Sequence, residues 1–236
     1  KMLIYTTVTP PFEPLVSRWL APSLARLGEL YRLVVVIDHT DGSRGNGDFR
    51  SPGFDAHIVN KLQFIADRAS DSEHPFLITD ADVLYLQPFV QLLQELMGQR
   101  DLLLAREYPG NAEHYNMGQM VIRPSAETEA FFRKLASELC QGGPRTNYGR
   151  NRPANQEYLN EQLRKSVLNH APMPESFANT GLLRHLSDET TLHSYHATES
   201  LPRPEMSSLE QKHRHFEGIV SRMGIQFERS YVSSSN

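Results

Sequence analysis

A chain of 236 residues with 39% apolar and 22% charged residues can bury a full core, and those fractions exclude both wholesale disorder and a membrane-embedded protein. The net charge of -4 argues against non-specific nucleic-acid binding, and no apolar run is long enough for an integral membrane segment. Cys140 is the only cysteine, which excludes an internal disulfide and a cysteine metal cluster; a cytoplasmic chain is the expectation, with an upstream targeting segment before Lys1 left open.

Leu3 to Thr7 and Leu33 to Ile37 read as buried strands, the second rich in β-branched valines. Between them Val16, Leu20, Leu24, Leu27 and Tyr31 recur at helical spacing, with Pro22 expected to split the stretch into two helices. Strand, helix, strand opens a parallel sheet. Thr40 to Gly53 is rich in Gly, Ser, Asp and Asn and reads as a loop, whose Arg44 and Arg50 suit either phosphate or solvent. Asp55 is expected to cap a helix with Ile58, Leu62, Ile65 and Ala69 on its inner face. Lys61 falls on the flank of that stripe, where its ammonium either reaches along the core edge to meet phosphate at the strand ends or snorkels to the surface.

Residues 76–89, FLITDADVLYLQPF, carry the strongest signal. Phe76 to Ile78 is a short buried strand, and Asp80-Ala81-Asp82 follows before the apolar character resumes. Ligands of open α/β sheets bind at the carboxyl ends of strands, and carboxylates buried there cost several kcal/mol unless a cation meets them. A divalent metal is the natural partner, against the plainer reading of an acidic turn.

Leu102 to Ala105 and Met120 to Ile122 give two more strands, joined by a polar connection, Arg106 to Gly118, with Glu107, His114, Tyr115, Asn116 and Gly118. Ser125 caps a helix that buries Thr128, Phe131, Phe132, Leu135 and Leu139. Gly142 to Pro153 is irregular, with Arg145, Arg150 and Arg152 around Tyr148. In the helix from about Asn155 to Val167, the amides of Gln156 and Asn160 share the apolar face of Leu159, Leu163 and Val167, so they either pair with backbone in the core or line a sugar pocket. Thr191 to Tyr195 is a last strand ending at His196, whose alternation sends His193 and His196 to opposite faces. A terminal helix within residues 205–229 carries Leu209, Phe216, Ile219, Val220 and Met223 beside the basic His213, Arg214 and His215, and Ser233 to Asn236 should fray. Internal repeats, Gly-rich phosphate loops and a Gly-x-Ser-x-Gly elbow are absent.

From the first strand to about Thr198, the order of these features resembles that of the nucleotide-diphospho-sugar transferases of the GT-A glycosyltransferase fold. The features are Tyr5-Thr6-Thr7, a helix with Lys61, Asp80-Ala81-Asp82-Val83, Asn116-x-Gly118, an amide-rich helix start and a late histidine. The resemblance implies an α/β fold with a mostly parallel central sheet flanked by helices. It implies one catalytic domain over residues 1–200, with a nucleotide-binding half to about 110 and an acceptor half from about 111, followed by a helical extension and tail over 201–236.

It further implies transfer of a hexose from a nucleotide-diphosphate sugar to an acceptor hydroxyl on a glycan or other molecule, with Mn²⁺ or Mg²⁺ held by Asp80, Asp82 and His196. Thr6, Thr7, Lys61 and, more weakly, Asp38 match nucleotide and phosphate contacts, with Asp80 touching ribose or the ion. Asn116 and Gly118 match positions lining the donor sugar or acceptor. Asp82, Asn155 and Gln156 take the catalytic positions. The chain departs from its relatives in reading Asn155-Gln156 where an Asp-Gln pair is common, and an asparagine is uncharged and cannot act as a general base. Two alternatives stand beside this reading: a haloacid-dehalogenase-like phosphatase using Asp80 and Asp82, and a catalytically silent nucleotide-sugar-binding domain. Glu107, Glu113 and Glu157 are unsupported choices for the base that inversion at the sugar would require.

Overall fold

Two sheets organise the computed structural model, which describes residues 1–39, 52–108, 114–141, 155–184, 191–198 and 206–227. The chain runs through β1 (Met2–Val8), a 3-10 turn (Pro10–Phe12), α1 (Glu13–Leu15), a π-helical stretch (Val16–Leu20), α2 (Ala21–Leu27), β2 (Tyr31–Ile37) and α3 (Pro52–Asp71). Next come β3 (Phe76–Thr79), β4 (Val83–Tyr85), α4 (Val90–Met97), β5 (Leu102–Arg106), β6 (Tyr115–Ile122) and α5 (Ala126–Cys140). Beyond these lie α6 (Asn155–Lys165), β7 (His170–Pro172), β8 (Phe177–Asn179), α7 (Thr180–Leu183), β9 (Ser194–His196) and α8 (Ser208–Arg222).

The central sheet has the order β2-β1-β3-β6-β5-β7. It is mostly parallel: β1 pairs in parallel with β2 and β3, and β5 with β7, while β6 runs antiparallel to β3 and β5. The inner strands β3 and β5 read as near-continuous apolar runs because both faces are covered, and alternate residues enter different cores; the expected buried strand Leu33 to Ile37 is instead the half-buried edge strand β2, with Val35 exposed. Leu77, Leu103 and Val121 point to one core, built with Trp19, Leu20, Leu24, Leu93, Phe216 and Ile219. Phe76, Ile78, Leu102, Leu104, Met120 and Ile122 point to the other, built with Leu62, Ile65, Phe132, Leu135, Leu159 and Leu163. A second sheet, β4-β9-β8, sits on the first of these cores.

Several local expectations change. Pro22 lies in the first turn of α2, where a missing N–H removes no helical hydrogen bond, so the helical path from Glu13 to Leu27 is bridged by the π-helical stretch instead of being split. Gly28, at φ 65°, ends α2, and Tyr31 begins β2 rather than closing a helix. The helix expected to be capped by Asp55 starts at Pro52, leaving Asp55 in its first turn. Ser125 caps α5 as expected, in a reciprocal box with Thr128. β6 begins at Tyr115, so Asn116 and Gly118 belong to a strand and not to the polar connection. Val167 lies past the end of α6 and is 90% exposed, because the helix stops at Lys165. Arg44, Arg50, Glu113, Arg145, Tyr148, Arg150, Arg152 and residues 233–236 lie outside the described residues. Among the described residues no helix is long and apolar enough to cross a membrane.

Candidate metal centre

Asp80 and Asp82 span the junction between the two sheets. The Asp80 amide donates to Gly118 O at 2.8 Å, extending the β3–β6 ladder by one bond. Two residues later Ala197 N donates to Asp82 O at 3.0 Å, continuing the β4–β9 pairing in which Val83 faces His196. The acids therefore hang from two rigid ladders, and His196 comes from the strand that pairs with the second.

His196 Nε2 lies 3.1 Å from Asp82 Oδ1 and 3.6 Å from Asp80 Oδ2. One ligand atom from each of the three residues falls within 4.8 Å of the others. Each carboxylate gives its remaining oxygen to a lysine: Lys61 Nζ donates to Asp80 Oδ1 at 2.5 Å, and Lys212 Nζ donates to Asp82 Oδ2. Lys61 is almost fully buried and also donates to Met117 O at 2.8 Å, while Lys212 donates to Ala197 O at 2.7 Å. An ammonium so deeply buried requires such partners.

The electrostatics follow from this crowding. Burial by itself would raise the Asp82 pKa, but the Lys212 charge, followed by the charge and hydrogen bond of His196, holds it well below the usual carboxylate range. For His196, burial acts to lower the imidazole pKa, yet Asp82 and then Asp80 carry it above its ordinary value. Tyr85, whose hydroxyl donates to Thr79 Oγ1 at 3.1 Å beneath the junction, is pushed well up, chiefly by burial.

Gly118 makes the approach of His196 possible. A Cβ there would meet His196 Cε1 at 2.1 Å, His196 Nδ1 at 2.5 Å and Asn116 Oδ1 at 2.7 Å. The imidazole thus rests on bare backbone, with its Nδ1 buried and without a partner among the described residues. Two carboxylate oxygens, one imidazole nitrogen and a cradle that admits the ring together fit a divalent cation.

The remaining sequence candidates divide. Thr6 and Thr7 end β1 with hydroxyls that are buried and have no partner among the described residues. Asp38 follows β2, with Oδ2 2.7 Å from His57 Nδ1 and Oδ1 accepting from Asn60 Nδ2 at 3.1 Å. The Asn116 amide is engaged on both sides: Oδ1 accepts from Gly118 N, and Nδ2 donates to Glu107 Oε2, each at 2.6 Å. Asn155 and Gln156 open α6, Asn155 lining a crevice with Asp55, Ile58, Val59 and Leu139. Asn160 realises the backbone reading of the inward amides, accepting from Tyr115 N at 2.7 Å and donating to Tyr115 O at 2.9 Å. His193 faces away, its ring stacked on Phe177 and Nδ1 2.9 Å from Ser176 Oγ, as strand alternation requires.

Sequence reasoning missed Lys212 and the fixing of Glu107. The terminal helix drew attention for His213, Arg214 and His215, yet Lys212 lies one residue from the buried Gln211 and one turn before the buried Phe216. A lysine on an inner helical face was a signal that a buried anion faced it. Glu107 Oε2 accepts from Asn116 Nδ2 and, at 3.1 Å, from Asn179 Nδ2, an arrangement no local pattern announces. Glu157 is exposed.

A sequence model described as nucleotide-diphospho-sugar transferase matches residues 23–215, a span that includes the whole cluster and Lys212. No curated protein matches in sequence. Among solved structures, the glycosyltransferase GlyE of Streptococcus pneumoniae TIGR4 is similar at a TM-score of 0.61 and 12% identity, over 98% of this chain and 65% of that one. A glycosyltransferase involved in glycosylation of the major capsid of PBCV-1 is similar at 0.60 and 13%, over 92% and 98% of the two chains. The galactosyltransferase LgtC, solved with donor and acceptor sugar analogs, is similar at 0.56 and 11%, over 93% and 96%. At these identities the likeness is one of fold, and this chain spans just under two thirds of the GlyE chain.

Proposed function

The chain belongs to the nucleotide-diphospho-sugar transferase family, and from that premise we propose that it is a metal-dependent glycosyltransferase moving a hexose from a nucleotide-diphosphate sugar to an acceptor hydroxyl. The observation that carries the reading is the convergence of Asp80, Asp82 and His196 at the strand ends, with one ligand atom of each within 4.8 Å of the others. Asp80, Asp82 and His196 would hold the cation, Mn²⁺ in the first instance. When bound, it supplies Lewis-acid stabilisation of the charge that develops on the departing nucleoside diphosphate.

The protein's own groups do the positioning. Lys61 fixes the Asp80 carboxylate and offsets its charge. Gly118 lets His196 present Nε2 to the acids. Buried hydroxyls of Thr6 and Thr7, with Asp38 nearer the sheet edge, are proposed for the nucleotide side, and Asn116, Asn155 and Gln156 for the sugar and acceptor side. Family membership favours transfer over the dehalogenase-like phosphatase, whose Asp-x-Asp strand opens the domain, whereas β1, β2 and α3 precede it here.

A screen of nucleotide sugars by thermal shift and donor hydrolysis, with and without Mn²⁺, tests the proposal. At least one donor should give Mn²⁺-dependent stabilisation and turnover, both lost on chelation and in Asp82→Asn. Turnover indifferent to chelation and to Asp82→Asn would refute the metal mechanism.

A further inference from the structure

Lys212 is not needed to seat α8. That helix is already anchored by Phe216 and Ile219 in the core, by the Trp19 Nε1 to His213 Nδ1 hydrogen bond at 2.6 Å, and by the Arg18–Glu217 ion pair at 2.8 Å. Lys212 instead crosses from the last helix to an acid 130 positions earlier in the chain, where only 13% of its side chain and 14% of that of Asp82 remain exposed. Lysines are rarely so enclosed without a task.

Two consequences follow from where its ammonium sits. Lys212 takes Asp82 Oδ2 and Lys61 takes Asp80 Oδ1, so each carboxylate has a single oxygen, Asp82 Oδ1 or Asp80 Oδ2, turned towards His196 Nε2. A cation entering here meets three protein atoms, one from each residue, and not a pair of chelating carboxylates. The second consequence is charge. Two carboxylates and two ammoniums already cancel, and His196 must be neutral to act as a ligand, so a divalent ion arriving alone leaves its full charge uncompensated in a largely enclosed site.

Resting on the metal-dependent reading above, we propose that Lys212 is a positioning residue that holds Asp82 to one-oxygen ligation and suppresses binding of a lone divalent cation, so that cation and anionic diphosphate are taken up together. The charge imbalance that Lys212 creates is what an anionic diphosphate relieves. Affinity of the cation for the protein by itself is kept low, and the coupling between cation and diphosphate is correspondingly large.

Titration of metal-stripped protein with Mn²⁺, followed by the electron paramagnetic resonance of the free ion, reads this directly. Lys212→Met should bind Mn²⁺ about tenfold or more tightly than the unaltered chain, since removing one charge beside a divalent ion outweighs the lost hydrogen bonds. Lys212→Gln, which keeps a donor for Ala197 O, should show the same gain if the methionine variant does not fold. Inorganic pyrophosphate should narrow the gap between the unaltered chain and either variant. A merely structural lysine would give weaker or unchanged Mn²⁺ binding on removal, and that result in a folded variant overturns the inference, as does a gap that pyrophosphate leaves untouched. Asp82→Asn tests the metal centre itself: if it binds Mn²⁺ as well as the unaltered chain, the centre fails and the role of Lys212 fails with it.

Discussion

Placing a methyl group at Gly118 is the sharpest test of how the centre is built. Non-bonded carbons rest about 3.5–4.0 Å apart, and a Cβ at position 118 would stand 2.1 Å from His196 Cε1. The imidazole must therefore retreat by about 1.4–1.9 Å, the difference between those distances. On the β3 side the strand is held against yielding instead, because Gly118 O accepts from Asp80 N and Gln119 pairs with Thr79, although the β5 pairing is interrupted by a bulge opposite Gly118. Ligand distances tolerate only about 0.2 Å, so His196 is lost to the cation. Gly118→Ala should weaken Mn²⁺ binding by about 100-fold or more, beyond what disturbing an outer partner costs, and overpacking should cost about 1–3 kcal/mol of stability. Isothermal titration with Mn²⁺ and urea unfolding measure the two effects. In the double variant Gly118→Ala/His196→Ala the clash is gone, so stability should recover while Mn²⁺ affinity stays low. A folded Gly118→Ala protein with unaltered Mn²⁺ affinity would refute the cradle.

Asn160→Ala removes hydrogen bonds to Tyr115 N, Tyr115 O and Gln156 O. With these hydrogen bonds to the buried backbone of Tyr115 lost, urea unfolding should reveal a loss of about 2–4 kcal/mol with Mn²⁺ affinity preserved, and a loss below about 1 kcal/mol would count against this role. The third prediction concerns pH in chelator-treated protein. The native His196 pKa is raised above the unfolded value of 6.5, so the native state binds the extra proton more tightly. Its contribution is fully present below that unfolded value and disappears as pH rises through the raised native one. Asp82 is held the other way, so its contribution is present above the unfolded carboxylate pKa and is lost only as acid carries the pH down through the depressed native value. Stability of the unaltered chain should accordingly fall relative to His196→Gln as pH rises past neutrality; parallel melting curves across that range would exclude the His196 ion pair as their cause.

Much of the centre was legible because its signals are local. FLIT followed by two acids is a buried strand with charge at its end, and burial of a strand on both faces permits only such a run. Ile58, Leu62 and Ile65 fixed the face of α3, but the spacing left Lys61 between a solvated surface position and a reach towards the strand ends; that it is buried, with Asp80 as its partner, was beyond the pattern. His193 and His196 were divided by alternation alone, and the structure keeps that division although β9 begins only at Ser194, after His193, and not at Thr191. Errors arose where spacing was ambiguous. Pro22 obeys helix geometry as a first-turn residue, and Tyr31 continued a helical spacing that a left-handed glycine had already ended.

By itself, then, the sequence determined the apolar strands, the faces of the long helices and the presence of two carboxylates that needed a cation, because each is settled by periodicity within a few residues. Tertiary structure alone decided which cations meet those carboxylates and from where. Lys212 reaches Asp82 across 130 positions, Gly118 earns its place through a ring on another strand, and Asn116 is spent on Glu107 rather than left open. Such contacts are fixed by how two sheets and α8 pack against one core, a long-range arrangement that no window of sequence contains.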